Sequence, residues 1–571
     1  MILQPIIDIA SVCAGKGVDD FVLSPGSRCA HLTIAMVRHP DINTRTVSDE
    51  RAAGFMALGL AQRKGRAMGL VCTSGSAAYN YSPAVSEAFY QRIPLLVLTA
   101  DRPPEWIGQQ DGQTISQPGL FGKHVKASFD LPSDYSHPDA EWHVNRTINE
   151  AINLANSYPQ GPVHVNVPIR EPFYPEADEK ISFSKPRIVE EQAGVPRLTV
   201  EQTADLASEI EKFGKVLVVA GQERRSEAGL KAVSAFSHCW GVPVLADVIS
   251  NMHAVPNTVR LHDAFLIKQD LELKETLRPD LIITFGKSVI SKQAKLFLRK
   301  NKPVEHWHIQ ESGDVADTFQ SLTRVIRANP YELLWELSRR VKTPMTENYL
   351  NAWLQEDKLT AELGKTYFDN APDFSDFSAL DKVWKAFPEE IDLHLSNSMS
   401  VRWGNYLGVT SAETEVFANR GTSGIDGCTG TAVGSAWGTE RLNVLVTGDL
   451  AFFYDRNAFW HNYPPRNLKV ILINNHAGGI FGMIDGPARQ DECAEYFETY
   501  QAQSAENTAK DFNLEYRFAD SYESLDKALG GFFQIGNKPG ILEIRTEKAL
   551  NRKVFDGYKN MIKTTGTAQK A

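Results

Sequence analysis

The sequence predicts an α/β protein of three successive domains, each a mainly parallel sheet flanked by helices. Short β-branched runs alternate with helix-length amphipathic segments along most of the 571 residues, which implies strand–helix–strand units. Most strand-sized runs are continuously apolar rather than alternating, as strands covered on both faces are. At roughly 150 residues per domain the length allows three or four domains.

The strands group into three series. The first is Asp20–Leu23, Thr44–Val47, Met68–Cys72, Leu95–Thr99 and Pro162–Val167. The second is Lys215–Ala220, Val242–Ala246, Leu281–Phe285 and Glu305–Ile309. The third is Glu415–Ala418, Asn443–Thr447, Val470–Asn474 and Ile541–Ile544. Pro168 to Arg197 holds five prolines and many charges and reads as a linker. A helical, polar stretch near Ala328–Asp373 separates the second and third series. The expected domains are therefore 1–182, 195–345 and 346–571.

Composition excludes several functions. Sixty Lys+Arg against seventy Asp+Glu leave a net charge of −10, with no basic footprint for nucleic acid. The densest apolar runs, such as Leu95–Leu98 and Val216–Ala220, are far too short to span a bilayer. The start lacks a basic segment and carries Asp8 within its apolar stretch, unlike a signal peptide. Six cysteines (Cys13, Cys29, Cys72, Cys239, Cys428, Cys493) form no CxxC pair, which favours reduced thiols in a cytoplasmic protein and no zinc site.

The sharpest local signal lies in the third series. Asn443–Thr447 ends in Gly448-Asp449, a helix is expected over Leu450–Trp460, and the next strand runs into Asn474-Asn475-His476-Ala477-Gly478-Gly479. Ligands of open parallel sheets bind at the carboxyl ends of strands, so Asp449 and Asn475 should reach the same end. A carboxylate, an amide oxygen and a free backbone carbonyl are hard ligands that suit Mg²⁺. The plain alternative is a helix cap followed by a turn. Upstream, Arg420-Gly-Thr-Ser-Gly-Ile-Asp-Gly427 has glycines that let backbone N–H groups approach an anion. In the first series, Asp49 and Glu50 open a small-residue helix. On this segment alone, helix-dipole complementarity is the preferred explanation of them. The face formed by Ala52, Ala53, Gly54, Ala57 and Gly59 calls for close packing against another element, a subunit partner among the options.

Together, Gly448-Asp449, Asn474-Asn475 and Glu50 resemble the thiamine-diphosphate-dependent enzymes, whose domain order of pyrimidine, central and diphosphate units fits the three series. Ser24-Pro-Gly-Ser-Arg28, Ser48-Asp-Glu-Arg-Ala-Ala-Gly54, Thr99-Ala-Asp-Arg-Pro-Pro-Glu105, Asn419-Arg-Gly-Thr-Ser-Gly-Ile-Asp-Gly427 and Gly448-Asp-Leu450 narrow the likeness to a menaquinone-pathway branch. The resemblance implies decarboxylation of 2-oxoglutarate and 1,4-addition of the resulting carbanion to isochorismate. It gives Glu50 the role of hydrogen-bonding the aminopyrimidine of thiamine diphosphate. Gly424 and Ile425 would join Asp449 and Asn475 at the cofactor, with Ile425 as the apolar prop of its bent form. Asp449, Asn475 and the Ala477 carbonyl would hold Mg²⁺ or Mn²⁺. Ser27, Arg28, Arg102, Gln113, Lys292, Ser398, Arg402 and Arg420 would meet the substrate carboxylates, with Ile480 and Phe481 as apolar wall. It also implies a homodimer or homotetramer with active sites at the subunit interface. Gly112, Gln293 and the His476-Ala477 pair depart from the family pattern. A pyruvate-type decarboxylase or ligase on the same cofactor, or a non-catalytic anion-binding protein, are the competing readings.

Overall fold

The computed structural model describes residues 3–171, 173–175, 180–483 and 486–565. It contains three six-stranded sheets, every strand pairing parallel. The first comprises β1 (Asp20–Leu23), β2 (Asn43–Thr46), β3 (Met68–Cys72), β4 (Leu95–Asp101), β5 (Ser128–Asp130) and β6 (Pro162–Pro168), in the order β2-β1-β3-β4-β6-β5. The second comprises β7 (Val216–Ala220), β8 (Val244–Ala246), β9 (Thr258–Val259), β10 (Leu281–Phe285), β11 (Glu305–Ile309) and β12 (Arg324–Ile326), in the order β12-β11-β10-β7-β8-β9. The third comprises β13 (Ile391–Leu395), β14 (Glu415–Phe417), β15 (Leu442–Gly448), β16 (Leu468–Asn474), β17 (Glu515–Ala519) and β18 (Gly540–Arg545), in the order β14-β13-β15-β16-β18-β17.

Sheets one and three thus share one strand order, while the middle sheet has the doubly wound order of dinucleotide-binding folds. In the shared order the winding reverses between the first and third strands, and that crevice is where ligands of such sheets bind. In sheet three the crevice lies past the ends of β13 and β15, at Ser396–Ser398 and Gly448-Asp449. In sheet one it lies past β1 and β3, at the Ser24–Arg28 string.

Every sequence-expected strand is present, with β8 starting at Val244 rather than Val242. Five further strands lack a clear sequence signal. β5, β9 and β12 are only two or three residues long. β17 is a half-exposed edge strand rich in polar residues, and β13 interleaves Asp392 and His394 with its apolar positions. The helix expected over 450–460 ends at Tyr454 and continues as a 3-10 turn over Arg456–Phe459. The linker after β6 runs without regular structure in its described residues until the helix Val200–Ile210. The polar stretch before the third sheet holds the helices Pro330–Ser338 and Glu347–Asp369.

The small-residue helix is Glu50–Lys64, and it packs on Cys428–Trp437 of the same chain. A Cβ on Gly59 would stand 2.0 Å from the Thr431 carbonyl oxygen, and one on Gly434 would stand 1.9 Å from that of Met56. Only glycine lets the two backbones meet so closely. The partner of that face is therefore an element of the same chain, and it joins sheets one and three through a common core including Val22, Leu70, Ala432 and Leu445. A second common core joins sheets two and three, including Leu217, Ile282, Leu393 and Val444. Among the described residues no helix is long and apolar enough to cross a membrane, and all six cysteines are free.

Candidate active site

A cavity of about 440 Å³ opens at the carboxyl end of sheet three. β15 and β16 are adjacent, with Gly448 paired to Ile473, so the residues beyond each strand emerge side by side. Asp449 and Asn475 both line the cavity, with Ala477 beside them. Asp449 opens the helix Asp449–Tyr454 and is buried. One of its oxygens accepts from the Leu450 backbone N–H at 2.8 Å and the other from Gln501 Nε2 at 2.9 Å. Burial pushes its carboxyl up to about 6, the Gln501 hydrogen bond opposing and the nearby Asp376 charge adding to it. Taking a carboxylate out of water disfavours its charged form, and a bound cation would offset that penalty.

The Asn475 amide is held in one orientation. Its Nδ2 donates to Asp376 Oδ2 at 2.9 Å, while its Oδ1 accepts from the Ala477 N–H at 3.2 Å. Asp376 is itself buried and fixed by Thr546 Oγ1 (2.5 Å) and Asn551 Nδ2 (2.8 Å). Burial raises its carboxyl pKa. His476 sits in the left-handed region at φ 61°, where a β-carbon costs energy and asparagine or histidine is tolerated best. Among the described residues no group of three or more His, Cys, Asp or Glu side chains is placed to hold a metal ion. The set here is one carboxylate, one amide oxygen and one backbone carbonyl. That fits a hard divalent cation whose other ligands are phosphate oxygens and water.

The same cavity lining carries cations. Arg402, in the helix Met399–Leu407, donates through Nη1 to the Ser398 carbonyl. Arg420 donates through Nη1 to Asn397 Oδ1 at 2.7 Å, and its Nε is buried without a hydrogen-bond partner. Both guanidiniums, with Ser398, line the cavity. Ile425 projects into it at 39% exposure, and Ile480 and Phe481 close another wall. Gly424 does not line it; its carbonyl accepts from Asn397 Nδ2 at 2.6 Å. Ser398 (φ 69°), just before the helix that carries Arg402, and Ser423 (φ 63°), in the loop that carries Arg420, both have positive φ, strain of the kind that collects at functional sites.

The first-sheet residues gather elsewhere. Glu50 is the first residue of its helix, half-buried, with Asn80 Nδ2 at 3.5 Å. Its neighbours bind the third domain of the same chain: Asp49 accepts from Asn457 Nδ2 at 2.9 Å, and Arg51 donates to the Tyr454 carbonyl at 2.8 Å. Arg28 is buried, donates to the Ile169 carbonyl at 3.0 Å and lies 4.3 Å from the Phe173 ring centroid. Arg102 pairs with Asp111 at 2.8 Å and donates to the Gly112 carbonyl at 3.0 Å, so Gly112 serves through its backbone. Ser27 and Gln113 are exposed, Gln113 in the left-handed region at φ 57°. None of these residues lines the sheet-three cavity. Neither does Lys292, which is exposed at the start of the helix Lys292–Lys300. The half-buried Lys295, one turn on, is the lysine whose charge reaches Arg402 and Arg420. The Gln293 backbone N–H donates to Asp263 at 3.0 Å.

Comparison with known proteins decides the family. Residues 8–120 match the thiamine pyrophosphate enzyme N-terminal TPP binding domain, and residues 188–395 match the middle domain of thiamine pyrophosphate enzymes. The chain is 43% identical over 560 residues to the 2-succinyl-5-enolpyruvyl-6-hydroxy-3-cyclohexene-1-carboxylate synthase of Cytophaga hutchinsonii, covering 98% of this chain and 99% of the relative. It is 37% identical over 555 residues to the synthase of the same name from Flavobacterium johnsoniae, covering 96% and 97%. The likeness to the Bacteroides fragilis synthase is 34% over 564 residues, covering 98% and 99%.

The chain belongs to this synthase family.

Within a synthase of this kind, Asp376, Asn397, Gln501 and Glu87 are the polar residues that sequence reasoning passes over. Asp376 stands 99 residues before the amide it holds, and Glu87 is 334 residues from the loop N–H it binds. The capping sequence Ser375-Asp-Phe-Ser378 is the one local sign of Asp376, and it reads equally as an ordinary helix start.

Proposed function

We propose that the chain decarboxylates 2-oxoglutarate and adds the resulting four-carbon unit in a 1,4 sense to isochorismate, giving 2-succinyl-5-enolpyruvyl-6-hydroxy-3-cyclohexene-1-carboxylate and CO₂ in menaquinone biosynthesis. Thiamine diphosphate, when bound, supplies the carbanion chemistry. Asp449, Asn475 and the Ala477 carbonyl would hold Mg²⁺ or Mn²⁺ for its diphosphate, and Ile425 would pack against the cofactor. The observation that carries the reading is the cavity lining itself, which joins Asp449, Asn475 and Ala477 with two arginines, Arg402 and Arg420. Guanidinium forks match carboxylates in a bidentate way that a lysine does not.

Glu50 holds a proton at the aminopyrimidine, and Ser27, Arg28, Arg102 and Gln113 complete the carboxylate contacts. Because these residues stand apart from the sheet-three cavity of their own chain, the working enzyme is a homodimer or homotetramer in which sheet one of one subunit faces sheet three of another. Residues 1–182, 195–345 and 346–571 act as pyrimidine-binding, central and diphosphate-binding domains, and the enzyme works in the cytoplasm. Incubation with both substrates, thiamine diphosphate and Mg²⁺, followed by mass spectrometry, tests the reaction. The succinylated adduct is the expected product; turnover of pyruvate without that adduct would overturn the assignment.

A further inference from the structure

The Arg420–Gly427 loop has the glycines and free N–H groups of an anion-binding turn, and an anion is bound there: a carboxylate of the chain itself. Glu87 lies in the helix Ser82–Gln91 of the first domain and is 1% exposed. Its Oε1 accepts from the Gly421 N–H at 2.7 Å, and its Oε2 accepts from the Thr422 N–H and Thr422 Oγ1, both at 2.6 Å. Gln91 Nε2 adds a donor to Oε1 at 2.6 Å. Among the described residues no ion pair reaches Glu87; these donors, with the more distant charges of Arg420 and Lys287, offset the cost of its burial. Hydrogen bonds to an ionised group are about twice as strong as neutral ones. The fit is tight on the loop side as well, since a Cβ on Gly421 would stand 2.6 Å from the Glu87 carbonyl oxygen.

This clamp holds the cationic wall of the active-site cavity. Arg420 immediately precedes the two clamped residues, and Ile425 comes three residues after them. The loop is braced from the other side by Asn397, which donates to the Asn419 and Gly424 carbonyls at 2.7 and 2.6 Å and accepts from Arg420. Glu87 itself does not line the cavity. We propose that Glu87 is a positioning residue: its carboxylate locks the Gly421-Thr422 turn to the first domain and so fixes the Arg420 guanidinium for a substrate carboxylate. An unlocked loop would pay the ordering entropy of Arg420 at each binding event.

This inference rests on the proposed function for its kinetic arm only; amide exchange tests the clamp whatever the reaction. Glu87→Gln replaces an acceptor oxygen with an NH₂ that cannot accept from an N–H. In the full-length enzyme, Glu87→Gln is expected to speed amide exchange over residues 420–425 by at least about tenfold while the helix Glu50–Lys64 keeps its protection. The KM for a dicarboxylate substrate should rise about tenfold with kcat changed far less. Thr422→Ala removes one donor and leaves the backbone pairs, so it folds readily and should give a smaller rise in KM. The double variant should lose less than the product of the two single effects, because both act through one clamp. Unchanged exchange at 420–425 would overturn the proposal. So would KM values within about twofold of wild type for both substrates alongside a lowered melting temperature, or single effects that simply multiply.

Discussion

Sheets one and three share one strand order and one location for their functional residues, yet they end in different states. Sheet three closes a cavity from its own loops, with Asp449, Asn475, Arg402 and Arg420 all facing it. Sheet one presents Ser27 and Gln113 at the exposed surface and ties Arg102 to Asp111 and Gly112. The topology places both sets past the carboxyl ends of their strands; the difference lies in the segments beyond those ends. Beyond β16 the chain returns at Gln501, which donates to Asp449 at 2.9 Å and to the Asn474 side chain at 3.0 Å. Among the described residues no comparable segment covers Glu50. Glu50 instead lies half-buried at the start of its helix, apart from the sheet-three cavity.

The largest effects should fall on the two acids, in opposite ways. Asp449→Ala is expected to abolish metal-dependent binding of thiamine diphosphate, measured by calorimetry with and without Mg²⁺. Glu50→Gln should keep the cofactor bound and lose turnover by about 10³-fold or more. Cofactor affinity unchanged in Asp449→Ala would refute the metal assignment to sheet three. Asp376→Ala probes the shell behind that site. Freed from its carboxylate, the Asn475 amide can turn its NH₂ to the metal, and Mn²⁺ affinity should weaken about 10- to 100-fold. A change confined to melting temperature would show that Asp376 only supports the fold.

The shared core between the sheets can be strained without touching either half-site. Gly434→Ala places a methyl against the Met56 carbonyl and should cost about 1–3 kcal/mol or more of stability, as overpacking does. Denaturant unfolding reads this directly. Acid acts on buried imidazoles in all three sheets. Burial pushes the imidazoles of His164, His306 and His394 down to about 4. Unfolded histidines titrate near 6.5, so between about 6.5 and 4 the unfolded chain takes up more protons and stability falls as pH drops. Each group contributes up to about 2 kcal/mol of that loss at pH 5. A melting temperature that rises from pH 7 to pH 5 would contradict it.

The parts of this contrast that are legible in the sequence are those set by neighbours in the chain. Gly448-Asp449 and Asn474-Asn475 end adjacent parallel strands, so strand spacing alone brings them together. Their paired register places them at one edge. The small-residue face of Glu50–Lys64 announces a close contact but not with what, because Thr431 and Gly434 lie far along the chain. Asp376 and Glu87 are invisible for the same reason: each is an ordinary helix acid until the fold delivers its partners. Lys292 is legible because it belongs to a motif, whereas Lys295, coupled by charge to Arg402 and Arg420, carries no such signal.

The central claim is that Glu50 of one chain serves Asp449 of another, and subunit mixing tests it most directly. Glu50→Gln and Asp449→Ala enzymes, each inactive alone, would be mixed under conditions that exchange subunits. Random pairing makes half the dimers mixed, each with one intact composite site, so activity should recover to about a quarter of wild type. No recovery despite demonstrated exchange would mean that each chain builds its site alone, and would contradict the account.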